Sequence, residues 1–149
     1  MKPIFFLLLI LVASSILHAQ DKGFGIGVVL GEPTGISGKG WVSEKNAIGG
    51  GLAWSFRRTG SIHVHADYLW HFLHAIHSPS RFVPYAGPGV RIGGGRGGGV
   101  FGIRIVGGIG FWPPDSPLDI FAELAPIVDL APATELSFNG GIGIRFFFK

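Results

Sequence analysis

Three side chains at alternate positions, His63, His65 and Asp67, are of the types that ligate a divalent metal. In an extended chain residues at i, i+2 and i+4 share one face, a spacing strands do use for ligands. A metal site also needs groups that hold and orient its ligands, and one strand does not supply them. The favoured reading is a hydrogen-bonded polar face, with no metal or cofactor expected. His71, His74 and His77 would align only on a helix, and they straddle the end of an extended segment, so they read as turn and rim residues. His77-Ser78 is the adjacent imidazole–hydroxyl pair that a lipid hydrolase would need. No carboxylate accompanies it, so no catalytic residue is expected. The run from Gly93 to Gly99, with Arg96 at its centre, lacks the Lys-Ser/Thr ending and following helix of a phosphate loop. It reads as a flexible loop.

The elements that must position these residues show a period of two. Ile62, Val64, Ala66, Tyr68, Trp70 and Phe72 fall on one face; His63, His65, Asp67 and His71 fall on the other, with Leu69 the apolar exception. A strand sends successive side chains to opposite faces, so this is one apolar wall and one polar wall. The same rule sets Phe24, Ile26, Val28 and Leu30 against Gly25, Gly27, Val29 and Gly31, and Ile48, Leu52, Trp54 and Phe56 against Gly49, Gly51 and Ser55. It sets Phe101, Ile103, Ile105 and Ile109 against Gly102, Arg104, Gly108 and Gly110. Leu118, Ile120, Leu124 and Val128 oppose Asp119, Glu123 and Asp129; Ile142, Ile144, Phe146 and Phe148 oppose Gly141, Gly143, Arg145 and Phe147. Two weaker segments, Ile36 to Val42 and Phe82 to Ile92, bring the count to eight. Proline-, glycine- and serine-rich punctuation between them fits hairpins. Pro126 predicts a bulge or an early end in the seventh strand.

Composition decides what such strands build. Glycine is 26 of 149 residues, hydrophobic residues are 47 % and charged residues only 14 %, against about 25 % charged in soluble domains. Lys2, the apolar run from Ile4 to Val12 and the small residues Ser14, Ser15 and Ala19 read as a signal peptide over residues 1–19. The run is shorter than the roughly 20 residues of a membrane helix, and no later stretch reaches that length. Lipid admits only helices and closed barrels. The expectation for residues 20–149 is therefore all-β: an eight-stranded antiparallel up-and-down transmembrane β-barrel after a cleaved signal peptide, in a bacterial outer membrane. An even strand count puts both chain ends on the periplasmic side. Tyr68, Trp70, Phe72, Phe111, Trp112, Phe146, Phe148, Phe24 and Phe82 then form one aromatic girdle, with Trp54 and Phe56 near the opposite rim. The absence of cysteine excludes a disulfide scaffold, a thiolate metal site and a lipoprotein anchor. A formal charge of +3 that includes Lys2 gives no nucleic-acid footprint.

The inward face carries Lys39, Arg91, Arg104 and Arg145 with Asp67, Asp119, Glu123 and Asp129. In so narrow a space these charges must pair, with Glu123 placed to serve Arg104 and Arg145, and inward glycines would make room for them. That predicts a plugged polar core. The functions weighed are a structural or surface-interaction barrel, a small pore or transport accessory, a soluble lipocalin-like lipid-binding barrel and, last, a lipid-modifying enzyme. A lipocalin turns the alternation inside out. The polar face here is too sparsely charged to dress a soluble surface.

The alternate Ile142, Ile144, Phe146 and Phe148 before Lys149 resemble the C-terminal signal that hands outer-membrane barrels to their assembly machinery. Further stretches resemble a bacterial family of small, largely uncharacterised predicted outer-membrane barrels: Gly31-Glu32-Pro33-Thr34-Gly35-Ile36-Ser37, Glu44-Lys45-Asn46-Ala47, His65-Ala66-Asp67-Tyr68-Leu69-Trp70-His71, Pro117-Leu118-Asp119-Ile120-Phe121, Leu124-Ala125-Pro126 and Asn139-Gly140-Gly141-Ile142-Gly143. The resemblance implies the architecture of the outer-membrane protein A transmembrane domain and of outer-membrane protein X. It implies lipid and the assembly machinery as partners, leaves any extracellular ligand open, and brings no catalytic residue.

Overall fold

The computed structural model describes residues 23–55, 61–73, 75–76, 81–95, 98–113 and 116–148. The segment read as a signal peptide lies outside the described residues, as do Phe56, His74, His77-Ser78, Arg96 and Lys149. Every regular element described is a strand: β1 (Phe24–Glu32), β2 (Thr34–Trp41), β3 (Asn46–Ser55), β4 (Ser61–His71), β5 (Phe82–Gly95), β6 (Gly98–Phe111), β7 (Leu118–Ala131) and β8 (Glu135–Phe148). Each pairs antiparallel with the next, and β8 pairs back on β1 from Phe24↔Phe148 to Glu32↔Gly140. The sheet is a closed eight-stranded barrel, as the alternation predicts.

The pleat also fixes which wall faces inward. On β4, Ile62, Val64, Tyr68 and Trp70 are exposed while His63, Asp67 and His71 are buried. Leu69, the exception on that face, packs inside against Tyr85, Val106 and Ala125. Other strands follow suit. Leu30 is 68 % and Ile142 66 % exposed, whereas Lys39 is 0 % and Asp119 1 %.

Two expectations are corrected. Most of the glycine run is strand rather than loop. β5 and β6 extend into it, pairing Gly93↔Val100, Gly94↔Gly99 and Gly95↔Gly98. Gly98 has φ +100°, a conformation open to glycine. Pro126 neither ends nor bulges β7. It keeps its place opposite Phe138 on β8, while on the other side Ile105 and Val106 fall out of the β6–β7 ladder. A strand residue directs its N–H to one neighbour only, so this proline weakens one seam and leaves the other whole. The register shift lies further along, between Phe101 and Gly102. Pro88 does the same between β4 and β5, where pairing lapses opposite Tyr68 and Leu69.

Glycine has two tasks in this barrel. At Gly25, Gly93 and Gly143 an added methyl would meet the side chains of Phe147, His63 and Phe121. At Gly87 it would run into backbone, the carbonyl oxygen of Tyr68 beside the Pro88 gap. Gly94 faces open space. Replacing Gly87 by Ala is expected to destabilise the refolded protein by about 1–3 kcal/mol, and Gly94→Ala to change it by less than about 0.5 kcal/mol. Urea unfolding of the two variants checks this; equal stability would refute the close approach.

Candidate functional site

The chemistry-bearing side chains converge inside the barrel. Lys39 on β2 lies 3.6 Å from Asp119 on β7. Arg145 on β8 donates to Asp119 at 3.0 Å, to Glu123 at 3.3 Å and, through Nε, to Ser37 of β2 at 2.9 Å. Tyr85 donates to the same Glu123 oxygen at 2.6 Å. A second group joins Arg104 Nε to Asp67 at 3.0 Å, with His65 Nε2 3.7 Å from the other Asp67 oxygen. In a third, Arg91 Nε donates to Asp129 at 3.0 Å and its Nη2 to Ser137 at 3.2 Å. All four inward cations therefore meet carboxylates. The expected assignment of Glu123 is half corrected: it serves Arg145, but Arg104 takes Asp67, which the register brings to the other side of Gly89.

That register contains a rule. Lys39 stands between Gly25 and Gly49, Asp67 between Gly49 and Gly89, and Glu123 between Gly108 and Gly141. Phe121 stands between Gly110 and Gly143. A long inward side chain lies down over the bare backbone of its neighbours, which is how an eight-stranded barrel can be filled.

The end of the barrel that carries the chain termini is occupied by rings. Trp41 and His71 lie 4.3 Å apart between centroids, Trp41 and Trp112 5.6 Å, and His71 and Tyr85 5.2 Å. The Lys39 ammonium sits 4.9 Å from the Trp41 and Tyr85 centroids, a cation–π arrangement out of water. Trp112, expected in the outer girdle, instead turns its indole N–H to Asp119 at 3.2 Å. His71 is likewise a buried interior residue rather than a rim residue. An acceptor was waiting for each: Asp119 for the indole, and the Lys45 carbonyl 3.1 Å from His71 Nδ1. The rest of that girdle faces outward, with Tyr68, Trp70, Phe72, Phe82, Phe146, Phe148 and Phe24 exposed and Phe111 partly so.

His63, His65 and Asp67 share the inward face but point to different partners. His63 Nε2 contacts Ser61 Oγ at 3.2 Å, whereas His65 and Asp67 belong to the Arg104 group. Among the described residues no three His, Asp or Glu side chains gather as metal ligands. Ser61–His63 is a hydroxyl–imidazole contact that sequence reading passed over, although its i, i+2 spacing was visible. The carboxylate of that strand, Asp67, is held by Arg104 and His65. At the opposite rim Ser55 donates to Glu32. Between His65, Arg104, Glu123 and Asn139 a cavity of about 30 Å³ remains, enough for about one water and no organic ligand.

No family model matches the chain, and neither does any curated protein or solved structure.

Buried pairs are costly to break singly and cheap to replace together, because a lone buried charge has no compensation. Asp129→Leu is expected to destabilise the barrel by about 3–5 kcal/mol. Adding Arg91→Met should restore most of that loss. A double-mutant cycle in urea that shows additive losses would contradict the pairing.

Proposed function

We propose that this protein is an outer-membrane β-barrel with a plugged polar interior, filling a structural or surface-interaction role and catalysing no reaction. One observation carries the reading: the barrel is inside out. Ile26, Val28, Leu30, Leu52, Val64, Ile105, Leu124 and Ile142 are exposed, and the eight charges of the core are turned inward. Water-soluble proteins rarely expose a contiguous apolar area beyond a few hundred Å², whereas a barrel in lipid needs such a band. A lipocalin-like barrel would place these two sets the other way round.

The remaining features support the same proposal. Exposed aromatic side chains gather at the terminus end, which would be the periplasmic end. The strand that closes the barrel ends in Phe146 and Phe148, whose rings stack edge to face 5.1 Å apart. That strand is the one the assembly machinery would read. The resemblance to small outer-membrane barrels points the same way, with a signal peptide over residues 1–19 as the route of export. Three groups of paired charges and a ring-filled end leave no conduit for ions in this reading.

Cell fractionation should place the protein with outer membranes, and folded and boiled samples should migrate differently on a gel. Planar bilayers containing the purified protein should show no steady conductance. Protein that stays dissolved without detergent would overturn the membrane reading; steady channels would overturn the plug.

A further inference from the structure

On the outer wall, beside the lapse in pairing between β4 and β5, lies a groove of about 850 Å³, within the roughly 300–1,000 Å³ of small-molecule sites. Trp70, Phe72, Ala86, Pro88 and Ile105 line its length, and its floor reaches the bare backbone of Gly87. Lys45 and Asn46 stand at the terminus end of the groove. The Lys45 backbone and the Asn46 amide are held in place. The Lys45 carbonyl accepts from the His71 backbone N–H at 2.7 Å, and the Asn46 amide donates to the Tyr68 hydroxyl at 2.9 Å. Glu44, next to Lys45 in the turn, is itself engaged in an interaction.

We infer that this groove binds one anionic glycerophospholipid, with an acyl chain along the β4–β5 seam and the phosphate at Lys45. The inference rests on the membrane reading above and specifies the lipid that this part of the wall selects. The chemistry divides as such a lipid does. The groove is apolar along its length, and Lys45 and Asn46 line one end, the Asn46 amide bonded to the Tyr68 hydroxyl. A free phosphate would leave the apolar length unused. Pro88 has no N–H to give Tyr68, so the ladder lapses beside the groove, although the backbones stay close at Gly87.

The test is native mass spectrometry of the folded protein released from detergent micelles that hold equal phosphatidylglycerol and phosphatidylcholine. The protein should retain one phosphatidylglycerol, favoured about tenfold, the ratio given by one charge-assisted contact. Lys45→Gln should bring the ratio near one. Ala86→Trp, which fills the groove, should lose both lipids; Ala86→Leu serves if the larger residue blocks folding. Gel migration of unboiled samples shows which variants have folded. Equal retention of the two lipids, a preference that survives Lys45→Gln, or retention that survives the filled groove would overturn the site alone. A chain that dissolves without detergent would overturn the membrane reading and the site together.

Discussion

Everything in this barrel depends on one constraint: a long inward side chain needs a vacancy on the strand beside it. Eight strands enclose too little space for side chains from every inward position. Lys39, Asp67, Glu123 and Phe121 each have glycine on both flanking strands. Glycine is otherwise a poor strand residue, giving up entropy and contributing no packing. Its abundance here is the counterpart of the charges. The vacancies also settle direction, because a side chain laid over its neighbour's backbone reaches partners two or more strands away.

Partner choice follows from that reach. Asp119 receives both Lys39 and Arg145, while Glu123 receives Arg145 and the Tyr85 hydroxyl. Such networks add little stability over an apolar core of the same shape. What they do is penalise every arrangement in which a member is left alone. The apolar cluster of Leu69, Tyr85, Val106 and Ala125 lies at the level where Pro88 and Pro126 thin the ladders. Wall and filling change character together there.

Much of this was legible in the sequence because a strand has a period of two and a pleat has only two faces. Ile62 to Phe72 reads out its wall directly, and the eight inward charges could be named before their partners were known. What stayed hidden depends on the stagger between strands. That Arg104 meets Asp67 rather than Glu123 follows from Gly89 lying opposite both, a relation no single segment contains. Trp112 looked like a girdle residue from its position; only the neighbouring Asp119 draws it inward. Proline was misread at position 126 for a related reason, since one strand's letters do not tell which neighbour an N–H faces. Gly93 to Gly95 and Gly98 to Gly99 read as loop from sequence because glycine signals loops, yet they pair as strand.

The long reach of the interior pairs bears on how the barrel comes together. Lys39 and Ser37 belong to β2, whereas their partners Asp119 and Arg145 belong to β7 and β8. In an open ribbon of these strands, β2 is six positions from β8, and these groups stand apart. The last seam, from Phe24↔Phe148 to Glu32↔Gly140, is the one that brings them together. Closure thus decides the contacts of Lys39 and Ser37, whereas the Arg104–Asp67 and Arg91–Asp129 pairs lie within β4 to β7 and do not depend on it. Closure takes Lys39 out of water as it meets Asp119, while the apolar side chains of the wall stay outside. One seam thus couples the hiding of a charge to the completion of a wall.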